Sequence, residues 1–287
     1  MSFFKVKLYF SARIEEVSDM PLLDVIEKLG GWPVTDPNWD ETKAIDLETL
    51  VAVIKRNFTL GVLIEEWVGP DDRNSENHII QVSFYLSLLT IGLMGSRKIN
   101  TIYTHVEWIF PFFLQIDQLQ LGLPSRDYFL DEQSDRDLAA YLTYMTEVSH
   151  ILGANQSYAA SELRKIIEFE KALANISVEE VNRIDTSAIY DKISIKDLAA
   201  KVPQIKWMTY FRELVKPMPI DENEKIVSYS TPFFVDLGLL LAQTDTRVIH
   251  NYIIWRLVMD LMPHMPPQYE KTRADFRKIL LGVLTDR

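Results

Sequence analysis

Thirty-four consecutive residues, Val82 to Gln115, limit what this chain can fold into more than any other feature. They hold 7 of its 32 aromatic residues and one acidic residue, Glu107, against 40 acidic residues in the other 253 positions. A stretch of that composition has to be buried, yet it shows neither a helical nor an alternating apolar period that would say against what. Its flanks are of another kind. WVGPDDRNSENHIIQ, 67 to 81, and IDQLQLGLPSRDYFL, 116 to 130, are polar and rich in turn formers. With 82 to 115 removed, the two flanks read as one continuous motif.

The rest is globular in character. At 287 residues with 47% hydrophobic content there is enough apolar side chain for a sizeable core. A formal charge of −11 offers no basic footprint for a nucleic-acid backbone or an anionic membrane, so no nucleic-acid partner is expected. With no cysteine, disulfides and thiolate metal sites are excluded, which by itself favours a reducing compartment. Three N-x-S/T sequons, at Asn57, Asn155 and Asn175, favour an extracellular one as glycosylation candidates. Lys5 and Lys7 interrupt the apolar start, so no signal peptide is read there. The longest charge-free apolar run, Val82 to Ser96, has 15 residues. A spanning helix needs about 20.

The periodicity predicts a mainly α fold, a multi-helix lobe with one β-hairpin. Leu22, Leu23, Ile26 and Leu29 form a helical stripe closed by Gly30-Gly31, and Leu47 to Phe58 forms a second helix. The hairpin is expected to pair about Val62–Val68 with His78–Gln81. Ser134 is expected to cap a helix through Leu152, and Ser157 to open another with Leu163, Ile166, Ile167 and Leu173 inward and Glu162, Lys165, Glu168 and Lys171 outward. Further helices fit 195–201, 207–215, 232–242, 246–262 and 269–284. His250 and Trp255, on an apolar helix, read as core residues.

No catalytic constellation is found. None of the five histidines has a neighbouring Glu or a second His four positions away, so no H-E-x-x-H zinc pattern exists, and no catalytic or metal residue is assigned. A G-x-S-x-G elbow and a Gly-rich phosphate loop are also missing. The densest charge cluster is Asp71, Asp72, Arg73, Arg126 and Asp127. It reads either as a substrate-side rim or, more simply, as turn caps and ion pairs.

The rejoined motif resembles the non-catalytic N-terminal region of the neprilysin and endothelin-converting enzyme family of zinc metallopeptidases. There V-G-x-D-D-K/R-N-S-x-N runs without a break into D-Q-x-x-L-G-L-P-S-R-D-Y. The likeness extends to Gly31-Trp32-Pro33, Asn38-Trp39, FEKALANIS at 169–177 and NYIIWRLVMDL at 251–261. It covers nearly everything except the first dozen residues and 82–115. Residues 1–12 are therefore expected to be a non-native start, and 13–287 the helical domain interrupted by 82–115.

The edges of that interruption match intron boundaries. Gln81-Val82 is compatible with CAG followed by GT, and Phe-Pro-Phe-Phe-Leu-Gln at the end with a pyrimidine tract closing in CAG. The stretch is accordingly read as translated intron, a natural family insertion being the alternative. The resemblance implies that zinc, the peptide-hydrolysing site and small-peptide substrates belong to a catalytic lobe further along the same polypeptide. It also implies an extracellular or cell-surface location through an N-terminal anchor not seen in these residues. The chain is thus expected to be truncated and inactive alone. A secreted non-catalytic protein that binds peptides or a partner, or a cytosolic helical scaffold, are the other readings.

Overall fold

In the computed structural model, residues 20–70, 73 and 112–282 are described. The expected strand His78–Gln81, together with Asp71, Asp72 and most of 82–115, lies outside them. In chain order the principal elements are α1 (Met20–Lys28), α2 (Leu47–Phe58), β1 (Ile64–Pro70), β2 (Phe112–Gln118), α3 (Asp135–Ile151), α4 (Gln156–Ile176), β3 (Asp191–Ser194), α5 (Ile195–Lys201), α6 (Trp207–Leu214), β4 (Lys225–Ser228), α7 (Thr231–Gln243), α8 (Thr246–Leu261) and α9 (Glu270–Leu281). The architecture is mainly α, as the periodicity predicts, with a four-stranded sheet where one hairpin is expected.

The chain divides into two compact units. Among the described residues one comprises 51–70, 73, 112–119 and Val178–Gly238, and the other comprises 20–50, Gln120–Ser177 and 239–282.

The first unit is built on a four-stranded sheet of order β1-β2-β4-β3. β1 and β2 run antiparallel, Ile64 opposite Gln118 and Pro70 opposite Phe112. The strand facing β1 thus takes four residues, Phe112 to Gln115, from the end of the apolar stretch and three from the motif that follows. β4 joins β2 in parallel, and β3 closes the sheet antiparallel to β4. The same unit has an aromatic core. The Trp207 ring meets Phe211 at 5.8 Å and Phe234 at 5.5 Å, and its Nε1 donates to the Val202 carbonyl at 3.2 Å. Pairing the indole N–H this way lets the whole residue be buried without an orphaned donor.

The second unit is a helical core around Trp255. Its ring stacks on Trp32 at 6.4 Å and meets Tyr144 edge-on at 5.6 Å, and its Nε1 donates to the Tyr141 hydroxyl at 2.7 Å. Tyr144 in turn stacks on Phe276 of α9 at 4.8 Å. Gly30 and Gly31, with φ of 99° and 83°, end α1 in the left-handed region that other residues avoid.

Two local expectations need correction. Ser134 stands at the start of α3 but makes no capping bond. A short 3-10 turn, Glu132–Ser134, precedes it, and its Oγ donates back to the Asp127 carbonyl at 3.4 Å. Glu162 does not face outward but is 5% exposed, because Arg247 and Asn251 of α8 reach it from across the core.

Candidate functional site

The segment that most resembles a functional motif, Ile116 to Asp127, is held by side chains on both sides of the unit division, each half within its own unit. Asp117 and Gln118 belong to the first. The Asp117 carboxylate forms a short ion pair with Arg183, and its other oxygen accepts from Ser230 Oγ at 2.6 Å and from the Gln118 backbone N–H at 2.7 Å. The Gln118 amide makes a two-way pair with Val178: Oε1 accepts from its N–H, and Nε2 donates to its carbonyl, both at 2.9 Å. An Asp-Gln pair at the end of a strand can satisfy donors and acceptors at once, which explains both residue types here.

From Gln120 onward the loop is anchored in the second unit. Arg256 of α8 donates through a short bond to the Gln120 carbonyl and to the Tyr252 hydroxyl at 3.0 Å. The Gly122 N–H donates to Glu170 Oε1 of α4 at 2.8 Å. A β-carbon on Gly122 would lie 2.2 Å from the Tyr141 hydroxyl and 2.9 Å from Glu170 Oε1, so only glycine fits. Burial raises the Glu170 carboxyl above the usual carboxylate range, and the Arg256 charge opposes that rise. Burial likewise pushes the Tyr141 phenol well up, so it stays a neutral hydrogen-bonding group.

Three of the five charged residues of the expected rim are described, each within its own unit. Asp71 and Asp72 lie outside the described residues. Arg73, in the first unit, carries its guanidinium over the Tyr190 ring at 4.4 Å. Arg126, in the second, donates to the Ser177 carbonyl at 2.8 Å, and Asp127 exchanges hydrogen bonds with Ser125 in a local turn. Charge density in the sequence singled out these residues. It missed Glu170, Arg256, Arg247 and Glu162, whose partners lie far away along the chain.

Zinc is the metal that the family resemblance implies, and the described residues offer no ligand set for it. Among the described residues no three His, Cys, Asp or Glu side chains converge as metal ligands. The His150 and His250 rings are engaged with the Ala154 and Gly31 carbonyls at 3.1 and 2.9 Å. Burial lowers the His250 pKa, the Gly31 bond opposing, so this ring stays neutral. His78 and His105 fall outside the described residues.

The model of the N-terminal domain of peptidase family M13 matches residues 111–287, from one residue before β2 to the last residue given. The chain belongs to peptidase family M13. Endothelin-converting enzyme 1 of Bos taurus and of Homo sapiens are each 28% identical over 285 residues, covering 97% of this chain. The chain spans about a third of the length of these relatives, 33% and 32%. Among solved structures, zinc metalloprotease Zmp1 of Mycobacterium tuberculosis in its open state superposes with a TM-score of 0.72 at 18% identity, over 99% of this chain and 37% of that one. PepO from Lactobacillus rhamnosis HN001 gives 0.65 at 13%, over 98% and 37%. At those identities the two share the M13 fold with this chain. Among the described residues no helix is long and apolar enough to cross a membrane.

Proposed function

We propose that these residues form the non-catalytic, helix-rich N-terminal lobe of a neprilysin-like zinc metalloendopeptidase that hydrolyses small peptides, and that the lobe does not cleave peptides alone. Its partner is the catalytic lobe of the same polypeptide, which holds the zinc and the general base, and the enzyme works outside the cell or at its surface. The observation that carries this is the match of the M13 N-terminal domain to residues 111–287. The test is a fluorogenic peptide assay on the purified chain with added zinc. Background hydrolysis is the expected result, and chelator-sensitive cleavage overturns the reading.

The same proposal treats 82–115 as foreign to the lobe and 1–12 as a non-native start. Two short sequences support the first part. Phe113-Leu114-Gln115 enters β2 ahead of Ile116, and Ile79-Ile80-Gln81 offers the same apolar-apolar-Gln order to the same junction. Transcripts that mostly retain those 34 codons would sink it. Among the three sequons, Asn155 and Asn175 are exposed and Asn57 is half-buried on α2, so sugar is expected on the first two. Mobility shifts of single Asn→Gln variants, made in a secreting cell, check that.

A further inference from the structure

Glu66 sits in the middle of β1 and points into the first unit, its side chain 2% exposed. Among the described residues it alone has both carboxyl oxygens buried without a hydrogen bond. A buried carboxylate left like this costs several kcal/mol, so such groups either find a partner or give up their charge. Among the described residues the one cation near it is Lys55 of α2, at 3.6 Å from Oε1, and that ammonium is already committed to Glu65 at 2.7 Å. From α6 the Tyr210 hydroxyl faces the carboxyl. It too is fully buried, and no hydrogen bond of normal geometry joins the two. The next charges on the same two helices, Arg56 and Glu213, are paired with each other at 3.7 Å. Ile116, opposite Glu66 on β2, is fully buried and offers nothing polar.

We propose that Glu66 is a proton-binding site built into the first unit: the folded chain holds a proton there in mild acid and gives it up in base, so that base loosens the packing of β1 against α2 and α6. A protonated carboxyl is neutral, so no charge is then buried beside the Tyr210 hydroxyl. Ionised, it leaves a bare charge between two helices. Burial raises this carboxyl from 4.5 to about 7, against the pull of Lys55. Since the folded value lies above the unfolded one, the stability it contributes is fully present below about 4.5 and lost as pH rises through about 7. The opposite group in this window is His250, whose lowered value removes stability as pH falls. This inference does not depend on the assignment of the lobe.

The experiment is denaturant unfolding of the whole chain between pH 5 and 8.5, alongside Glu66→Gln and Tyr210→Phe, with hydrogen exchange of β1 and α2 amides as the local probe. The wild-type unfolding constant is expected to rise roughly a hundredfold over that range relative to Glu66→Gln, in which the amide replaces the protonated acid. His250 is common to both chains and cancels. Tyr210→Phe removes a group that stabilises the anion and should move the midpoint higher. If Glu66→Gln does not fold, a carboxyl-carbon NMR titration of the wild type replaces it, with a midpoint near neutrality expected. Parallel pH dependence of the two chains, or a Glu66 titration in the ordinary carboxylate range, overturns the proposal.

Discussion

Two buried glutamates, one in each unit, are handled by their surroundings in opposite ways. Glu170 takes the Gly122 N–H at 2.8 Å and stands in the field of the Arg256 guanidinium. Glu66 takes no hydrogen bond of normal geometry and shares its lysine with a more exposed neighbour. Burial raises both carboxyls. At Glu170 the desolvation is opposed by partners that arrive from a loop and another helix, so the carboxyl fastens three segments together. At Glu66 the pull of Lys55 and Tyr210 is outweighed by burial, and the proton becomes the partner. A carboxylate in a core therefore serves as a fastener only where the fold delivers donors to it; otherwise it is a titrating group.

The largest effect should come from breaking the Glu170 site, where one oxygen is bonded and a cation stands nearby. Arg256→Met fills similar volume but removes the cation opposite Glu170 and the donors to Gln120 and Tyr252, and is expected to cost about 3 to 5 kcal/mol in denaturant unfolding. Part of that loss should return on acidification, because Glu170 without its cation is better protonated. Insensitivity to pH in this variant would mean that Glu170 is not charged beside Arg256 and that the contrast between the sites is false. Next comes Glu66→Gln, of opposite sign. A rise from 4.5 to about 7 corresponds to about 3 kcal/mol, so the variant should outlast the wild type by about that amount above pH 8 and match it near pH 4. Smaller again is Gly122→Ala, where the added carbon must displace the Tyr141 hydroxyl and Glu170; about 1 to 3 kcal/mol of destabilisation is expected. Calorimetric unfolding of each variant measures these.

The unequal legibility of the two sites has a physical cause. Helical stripes are local, so Leu22, Ile26 and Leu29 with their Gly-Gly stop, or the apolar run of α8, could be read along the chain. So could the motif containing Gly122, although its reason, the closeness of Tyr141, became visible only in three dimensions. β3 and β4 escaped notice because each has four residues, with Asp191, Lys192 and Lys225 among them, and β4 pairs with a strand more than a hundred residues earlier. Glu162 was expected to face outward because its helical spacing gives no hint of Arg247, 85 residues away. Glu66 follows Glu65 in a strand, and the alternation that turns one of them inward depends on a register set by β2. The rim residues Arg73, Arg126 and Asp127 stood out through charge alone, and charge says nothing about where a side chain is spent.

The smallest expected effects test how much of each unit is needed. Asn155→Ala in the second unit removes the side chain that accepts the Tyr158 N–H at 3.2 Å at the start of α4, and should cost about 1 kcal/mol. Removing residues 82–115 from the first unit should cost close to nothing. The deletion joins Gln81 to Ile116, so that His-Ile-Ile-Gln replaces Phe-Phe-Leu-Gln opposite β1, with an apolar residue before the Gln in both cases. The position of Gln115, buried opposite Trp67, is again filled by glutamine. Loop closure changes little when a connection is shortened, since its entropy varies only with the logarithm of length. Losing an aromatic, nearly acid-free stretch should also raise the solubility limit. Circular dichroism and an unfolding midpoint equal to those of the parent chain are expected. A collapse of the first unit, seen as lost exchange protection in β1 while the second unit keeps its own, would mean that Phe112 to Gln115 are indispensable to the sheet and that the stretch belongs to the fold.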